Sequence, residues 1–297
     1  MTGSQFVALY RDNGLHAWEG AALELARRGG DGLVDHPFVE IPLADDAGNT
    51  AVVRVRSDVL AVGTPEDSVR LPLTPTAAQG ILNLTGELLP TPWLAYQIWR
   101  SAQLKLAPTP MVPNKGANLD QYAEHSRIID AQIASAAEGG VPLVAGGTSV
   151  AGIKKHVVVS NIYQPGKVLI FGWYRPSPPF PDVFDDRTAQ TNPQRQPIQP
   201  LSNIHGEFYV DYSHGIQGVH PEALVNGQVM STEELYQHST LSKLVSREGP
   251  VRTPRYPSKV PIARHRPVSS LVRPAAITVV PNLPAAADLG FAMLTRR

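Results

Sequence analysis

Hydrophobic positions change period several times along the chain, and each change marks a predicted element. Phe38-Val39-Glu40-Ile41 and Ala51-Val52-Val53-Arg54-Val55-Arg56 are short β-branched runs separated by the turn-like Asp45-Asp46-Ala47-Gly48-Asn49. The alternation in Val53-Arg54-Val55-Arg56 suits a strand with one wet face. Residues 1–70 therefore predict a β-rich opening. Thr74-Pro75 and Thr91-Pro92 then each set an N-cap residue before a proline at the first helical position, where a missing N–H costs nothing. After the second pair, Leu94, Ile98 and Ala102 recur at helical spacing, and Pro108 and Pro110 are expected to stop the helix. A further helix over residues 118–138 turns Tyr122, Ile129, Ile133 and Ala136 inward and ends at Gly139-Gly140.

From residue 155 the period returns to two. His156-Val157-Val158-Val159 and Val168-Leu169-Ile170-Phe171 predict neighbouring strands turned at Pro165-Gly166. Residues 175–200 carry Pro, Asp and Gln without apolar periodicity and predict a long surface excursion. Phe208-Tyr209-Val210-Asp211-Tyr212 predicts a strand, Asn226-Gly227 a hairpin turn, and Ser231 with Glu234 a capping box before a short helix carrying Leu235, Leu241 and Leu244. No internal repeat is visible. The pattern predicts one α+β body over 1–247, with a mixed or antiparallel sheet and a few helices. Its parts are a β-rich opening (1–70), a mainly helical middle (71–140) and strands with a short helix (141–247).

Composition alters the picture most after residue 248. Eight prolines fall between Pro250 and Pro284, among Arg252, Arg255, Lys259, Arg264, Arg266 and Arg273. Such a stretch prefers extended, polyproline-like backbone. It is also studded with Ile262, Leu271, Val279 and other aliphatics, which a purely solvating tail does not need. Residues 248–297 thus predict either a disordered tail or, as the aliphatics favour, a Pro/Arg-rich extended C-terminal arm. Arg252, Arg255, Ile262, Leu271 and Val279 would contact a protein partner or neighbouring subunit, making the chain part of an oligomer or larger complex.

Net charge is zero, so no global field draws the chain to nucleic acid, and no nucleic-acid-binding module is recognisable. The absence of cysteine excludes disulfides, thiolate metal sites and a cysteine nucleophile. The opening Met1-to-Gly14 segment has neither a basic n-region nor an apolar h-region, and no apolar run approaches the ~18 residues a span needs. Neither a signal peptide nor a membrane span is expected. That leaves synthesis in the cytoplasm, with a particle as a later destination.

The densest reactive chemistry lies in residues 205–220, which hold three histidines, two carboxylates, a serine and two tyrosines. On a strand, Tyr209, Asp211 and Ser213 would share the open face while Phe208, Val210 and Tyr212 face the core. His205, Asp211 and His214, with His220, are a candidate ligand set for a divalent metal such as zinc, which would activate water. Alternatively Ser213 is a nucleophile, with a histidine base (His205 or His214) oriented by Asp211. Neither spacing is diagnostic: HExxH and Gly-x-Ser-x-Gly are both absent. A purely structural role, with the histidines bonded to backbone carbonyls, competes with both. Lys154, Lys155 and His156 open a strand that could meet the same face, and Trp173-Tyr174 could line a cleft beside it.

Three stretches together resemble a family of bacterial proteins without assigned activity. They are Ser57–Gly63 running on to Arg70–Pro75, Leu89–Pro108, and Ile170–Tyr174 through Gln196–Leu201 to Val210–Ile216, of which Val210-Asp211-Tyr212-Ser213-His214-Gly215 is the most specific. The resemblance covers about residues 50–245 and implies a single body. His205, Asp211, Ser213 and His214 match its pattern, whereas Ile153, His156 and Tyr174 depart from it, implying a remodelled polar site.

Two functions follow as expectations. One is a hydrolase-like domain acting on an extracellular or cell-envelope polymer, centred on His205, Asp211, Ser213 and His214. The other is a non-catalytic subunit of a virion or similar assembly, docked through its arm.

Overall fold

The computed structural model describes residues 1–112, 116–143, 148–174, 176 and 197–263. Within them the chain is α+β, built on two four-stranded sheets. Two helices come first, α1 (Gly3–Tyr10) and α2 (Leu15–Arg27). Strands β1 (Phe38–Ala44), β2 (Thr50–Arg56), β3 (Ala61–Gly63) and β4 (Ser68–Arg70) follow, then helices α3 (Pro75–Asn83) and α4 (Pro92–Ser101). Next come β5 (Leu104–Lys105), α5 (Leu119–Glu138), β6 (Val150–Ala151), β7 (Lys155–Val157), β8 (Ile170–Gly172) and β9 (Gln199–Ser202). The chain then runs through β10 (His214–Gly215), β11 (Val219–Val225), β12 (Gln228–Ser231) and α6 (Thr232–Gln237) to a 3₁₀ turn at Leu241–Leu244.

The first sheet, ordered β1-β2-β11-β12, is antiparallel; the second, β10-β7-β8-β9, is mixed, with β10 parallel to β7. Residues 214–225 link the two, because β10 closes one sheet and β11 enters the other. The linker is held by Leu60 N–H donating to Ile216 O at 2.7 Å and Arg56 N–H to Gly218 O at 2.9 Å. Gly215 permits this crossing, since a Cβ there would lie 2.7 Å from Lys154 Cβ and 2.8 Å from Val59 Cγ1.

The helices form where their caps and apolar stripes allow. Thr74 and Thr91 are N-caps whose hydroxyls accept from Ala77 N–H and Leu94 N–H, with proline next in each case. Thr91 also donates to Val245 O, tying α4 to the end of the body. Leu94, Ile98 and Ala102 are buried as the spacing requires. Asn118 caps α5, and Tyr122, His125, Ser126 and Ile129 form its buried stripe. Trp18, Tyr96, Trp99, Tyr122 and Tyr236 are nearly inaccessible and give the core its bulk.

Three expectations are revised. The opening is not mainly β: α1 and α2 precede the strands, α1 closed by a Thr2–Gln5 capping box and α2 burying Trp18 and Ala22. Residues 208–212 form no strand, because sheet pairing lapses from Glu207 to Ser213, so alternation does not apply. Phe208 is accordingly 64% exposed and Ser213 is buried at 1%, although Val210 and Tyr212 are core as expected. Finally, the described residues up to Ala263 belong to one compact unit, so the body runs past 247. Val251, Tyr256 and Val260 supply the apolar contacts, and the Tyr256 hydroxyl donates to Val158 O while accepting from Leu169 N–H, both at 2.9 Å. Short apolar side chains between prolines thus anchor extended backbone onto the body. Leu271 and Val279 lie outside the described residues, as does most of the expected 175–200 excursion.

Candidate functional site

The carboxylate of Asp211 is where the polar groups meet. Its Oδ1 accepts from the Ser213 N–H at 2.6 Å and from the Ser213 hydroxyl. Its Oδ2 accepts from the Tyr209 hydroxyl at 3.1 Å, and Lys155 Nζ and His214 Nε2 lie 3.8 and 4.0 Å away. A two-residue Asp211–Ser213 turn sets the first pair. The parallel β10–β7 register sets the others, since it places His214 opposite Lys155.

Burial decides the charge states. Burial opposes ionisation of Asp211, but His214, Lys155 and the two Ser213 bonds outweigh it and hold the pKa down to about 2. Burial drives His214 to about 4 despite the nearby carboxylate. With His214 neutral at neutral pH, the Lys155 ammonium and Ser213 keep Asp211 anionic. Lys154, buried with its ammonium donating to Tyr212 O, is lowered by burial to about 7. His125 and His156 are likewise lowered by burial, to about 3 and about 4.

Two further observations fall on the same neighbourhood. Both ring nitrogens of His214, Nδ1 of His125 and of His156, and Nε1 of Trp173 are buried without a hydrogen-bond partner among the described residues. Buried polar atoms are normally satisfied, so such a concentration calls for an explanation. Trp173 also holds a left-handed backbone, φ 62°, at the end of β8. For a bulky side chain this is strained, and such strain concentrates at functional sites. Lys155 Nζ lies 5.5 Å from the Trp173 ring centroid, and His125 sits edge-on to the Trp173 and Tyr212 rings at 6.3 and 4.8 Å.

The expected site residues separate. Asp211, Ser213 and His214 come together. His205 stays at the rim, its ring stacked on Tyr209 at 3.8 Å rather than bonded to Asp211. His220 does not join: on β11 its ring packs edge-on to Phe38 at 4.9 Å, with Arg54 Nη2 2.9 Å from Nδ1. The four proposed metal ligands therefore do not assemble, and no group of three or more His, Cys, Asp or Glu among the described residues is placed to hold a metal ion. Ser213 gives its hydroxyl to Asp211 directly, so no Ser–His–Asp relay forms. Of the arm residues, Arg252 bonds Asn161 and Arg255 bonds Glu233 and the carbonyls of Gly86 and Glu87 within the same chain, while Ile262 is half exposed. His125 was not evident in the sequence. Its signal was a histidine on the inward stripe of α5, three residues from Tyr122 and four from Ile129.

The buried histidines fix the acid response. A histidine whose folded pKa lies below its unfolded value of about 6.5 takes up a proton only on unfolding, so stability falls as pH drops through that interval. His125, His156 and His214 should each remove about 3 kcal/mol by about pH 4. Asp211 adds its loss only as pH falls toward about 2. Circular dichroism against pH should show cooperative unfolding between about pH 6 and 4. Undiminished stability down to about pH 4 would contradict neutral burial of these rings.

No helix among the described residues is long and apolar enough to cross a membrane. No protein-family model matches the chain, and neither the curated proteins nor the solved structures contain a match.

Proposed function

We propose that the Asp211 cluster is an acid–base centre that hydrolyses an acyl bond, an ester or amide. The observation that carries this is the convergence on one carboxylate of Ser213, Tyr209, Lys155 and an unbonded neutral His214. The 4.0 Å between His214 Nε2 and Asp211 Oδ2 is too long for a direct hydrogen bond, and a water taken up between them would be the nucleophile. His214 would take a proton from that water as its oxygen attacks the carbonyl carbon. Asp211 would stabilise the imidazolium, and Lys155, with the Trp173 N–H, would face the developing oxyanion. When the carbon–heteroatom bond breaks, the proton passes from His214 to the leaving group. Ser213 positions Asp211, and the His205–Tyr209 stack offers a flat rim for substrate.

The acyl class is favoured over glycosides because glycoside cleavage commonly needs two facing carboxyl groups, and among the described residues one carboxylate occupies this cluster. The assembly alternative draws no support from the described part of the arm, since Arg252 and Arg255 are engaged by their own chain. Hydrolysis of p-nitrophenyl acetate and of an acyl anilide tests the proposal. Wild type should act above background on at least one, and Asp211→Asn should lower kcat ~10²–10³-fold without loss of fold. Absence of turnover on both substrates, or an Asp211→Asn variant as fast as wild type, would remove it.

A further inference from the structure

A separate cavity of about 520 Å³ opens between the end of α2, the β1–β2 sheet and the end of α3, and it shares no lining residue with the Asp211 cluster. Its volume falls within the range of small-molecule sites. One wall is aliphatic, from Leu33, Val34, Leu60, Ile81 and Leu82; the polar end is Asp35, His36, Arg56 and Glu87.

The hydrogen-bond inventory of the polar end says what it can still bind. Arg56 Nη1 donates to Asp35 Oδ1 and to His36 O, both at 2.7 Å. Its Nε reaches both Glu87 oxygens at 3.2 Å and Nη2 reaches Glu87 Oε1 at 2.6 Å. The guanidinium also lies 4.1 Å from the Phe38 ring centroid. Its donors are thus almost all committed, while its charge is set against two carboxylates and leaves a deficit of one. Gly218 keeps Glu87 in place, for a Cβ there would lie 1.8 Å from Glu87 Oε2. His36 Nε2 is buried without a partner among the described residues. Burial lowers the His36 pKa, aided by Arg70 and Arg56 against Asp58 and Asp35, which favours the neutral ring. The Asp35 side chain is 93% exposed apart from its Arg56 contact. Arg27 and Asp58 also line the cavity, so two guanidinium groups face three carboxylates and the lining keeps one net negative charge. Spent Arg56 donors, spare acceptors, that negative charge and an aliphatic wall together specify the ligand.

We propose that this cavity binds a small amphiphilic organic cation, its ammonium against Asp35 and His36 and its alkyl chain along Leu33, Leu60 and Ile81. The site stands independently of the Asp211 proposal. Calorimetric titration of the full chain with hexylammonium, 1-hexanol and hexanoate tests it, because the three share a chain and differ in head group. Hexylammonium should bind saturably and about tenfold more tightly than either of the others. Asp35→Asn, at an exposed position, should weaken it about fivefold. Thr85→Trp, which fills the mouth from the exposed rim, should abolish it. No saturable binding of hexylammonium would overturn the proposal, as would hexanol or hexanoate binding equally well. Binding unchanged in Asp35→Asn, or retained in a folded Thr85→Trp variant, would overturn it equally.

Discussion

In a His214→Gln variant, kcat for p-nitrophenyl acetate is expected to fall ~10²–10⁴-fold, the contribution of a positioned general base. Glutamine approximates the shape of the ring and offers hydrogen bonds, but it cannot carry a proton between water and leaving group. The site around it is preformed: His214 pairs with Lys155 across β10 and β7, and the backbone at Gly215 passes so close to Lys154 and Val59 that no Cβ fits there. Fold and KM should therefore change little, because His214 touches the transferred proton rather than the acyl group. Stability should hold at neutral pH and improve near pH 5, since one buried histidine no longer resists protonation. A kcat within about twofold of wild type would assign His214 a structural role.

Lys154→Met should stabilise the protein at neutral pH. The folded pKa of Lys154 is held near 7 by burial, well below the ordinary lysine value of 10.5. Keeping this group in the folded state at pH 7 therefore costs up to about 4 kcal/mol. Methionine is similar in length and removes that cost, against about 1 kcal/mol for the lost bond to Tyr212 O. A net gain of about 2–3 kcal/mol corresponds to a Tm higher by roughly 5–10 °C. The sign follows from linkage: the unfolded chain binds the extra proton between about pH 7 and 10.5, so the gain shrinks as pH rises through that window. The Lys154 charge also lowers the basicity of His125 and His214, so its removal should raise both pKa values. Thermal melts of both proteins at pH 7 and pH 10 check this. A lower Tm for Lys154→Met at pH 7 would mean the ammonium is compensated by bonds beyond Tyr212. Retention of so costly a group beside Asp211 is what a functional site leads one to expect.

Local chemistry made much of the fold legible. The Thr-Pro starts of α3 and α4, the Asn118-to-Gly139 span of α5, the β1–β2 pair and the Asn226-Gly227 hairpin depend on neighbours in sequence, and all formed as expected. Helix α2 leaves little trace in the sequence because Gly14 supplies no side-chain cap, leaving only the Trp18–Ala22 stripe as a signal. The 208–212 stretch misled for the opposite reason: its β-rich composition is overridden by turns that let Asp211 fold back onto Ser213. At the candidate site, Asp211, Ser213 and His214 are close in sequence and could be grouped, and the strand start at Lys155 and the Trp173-Tyr174 pair were legible as neighbours of that face. His125 reaches it only through helix packing, which no local pattern encodes. His220 shows the reverse, since six residues of chain carry it from β10 into the other sheet.

The central claim is that Asp211 and His214 act as one acid–base unit, and a double-mutant cycle in kcat on p-nitrophenyl acetate tests it most directly. If they do, the Asp211→Asn/His214→Gln double variant will be about as slow as the slower single variant, because removing either partner already disables the pair. If the two losses instead multiply, the residues act independently and the pair is not the catalytic unit.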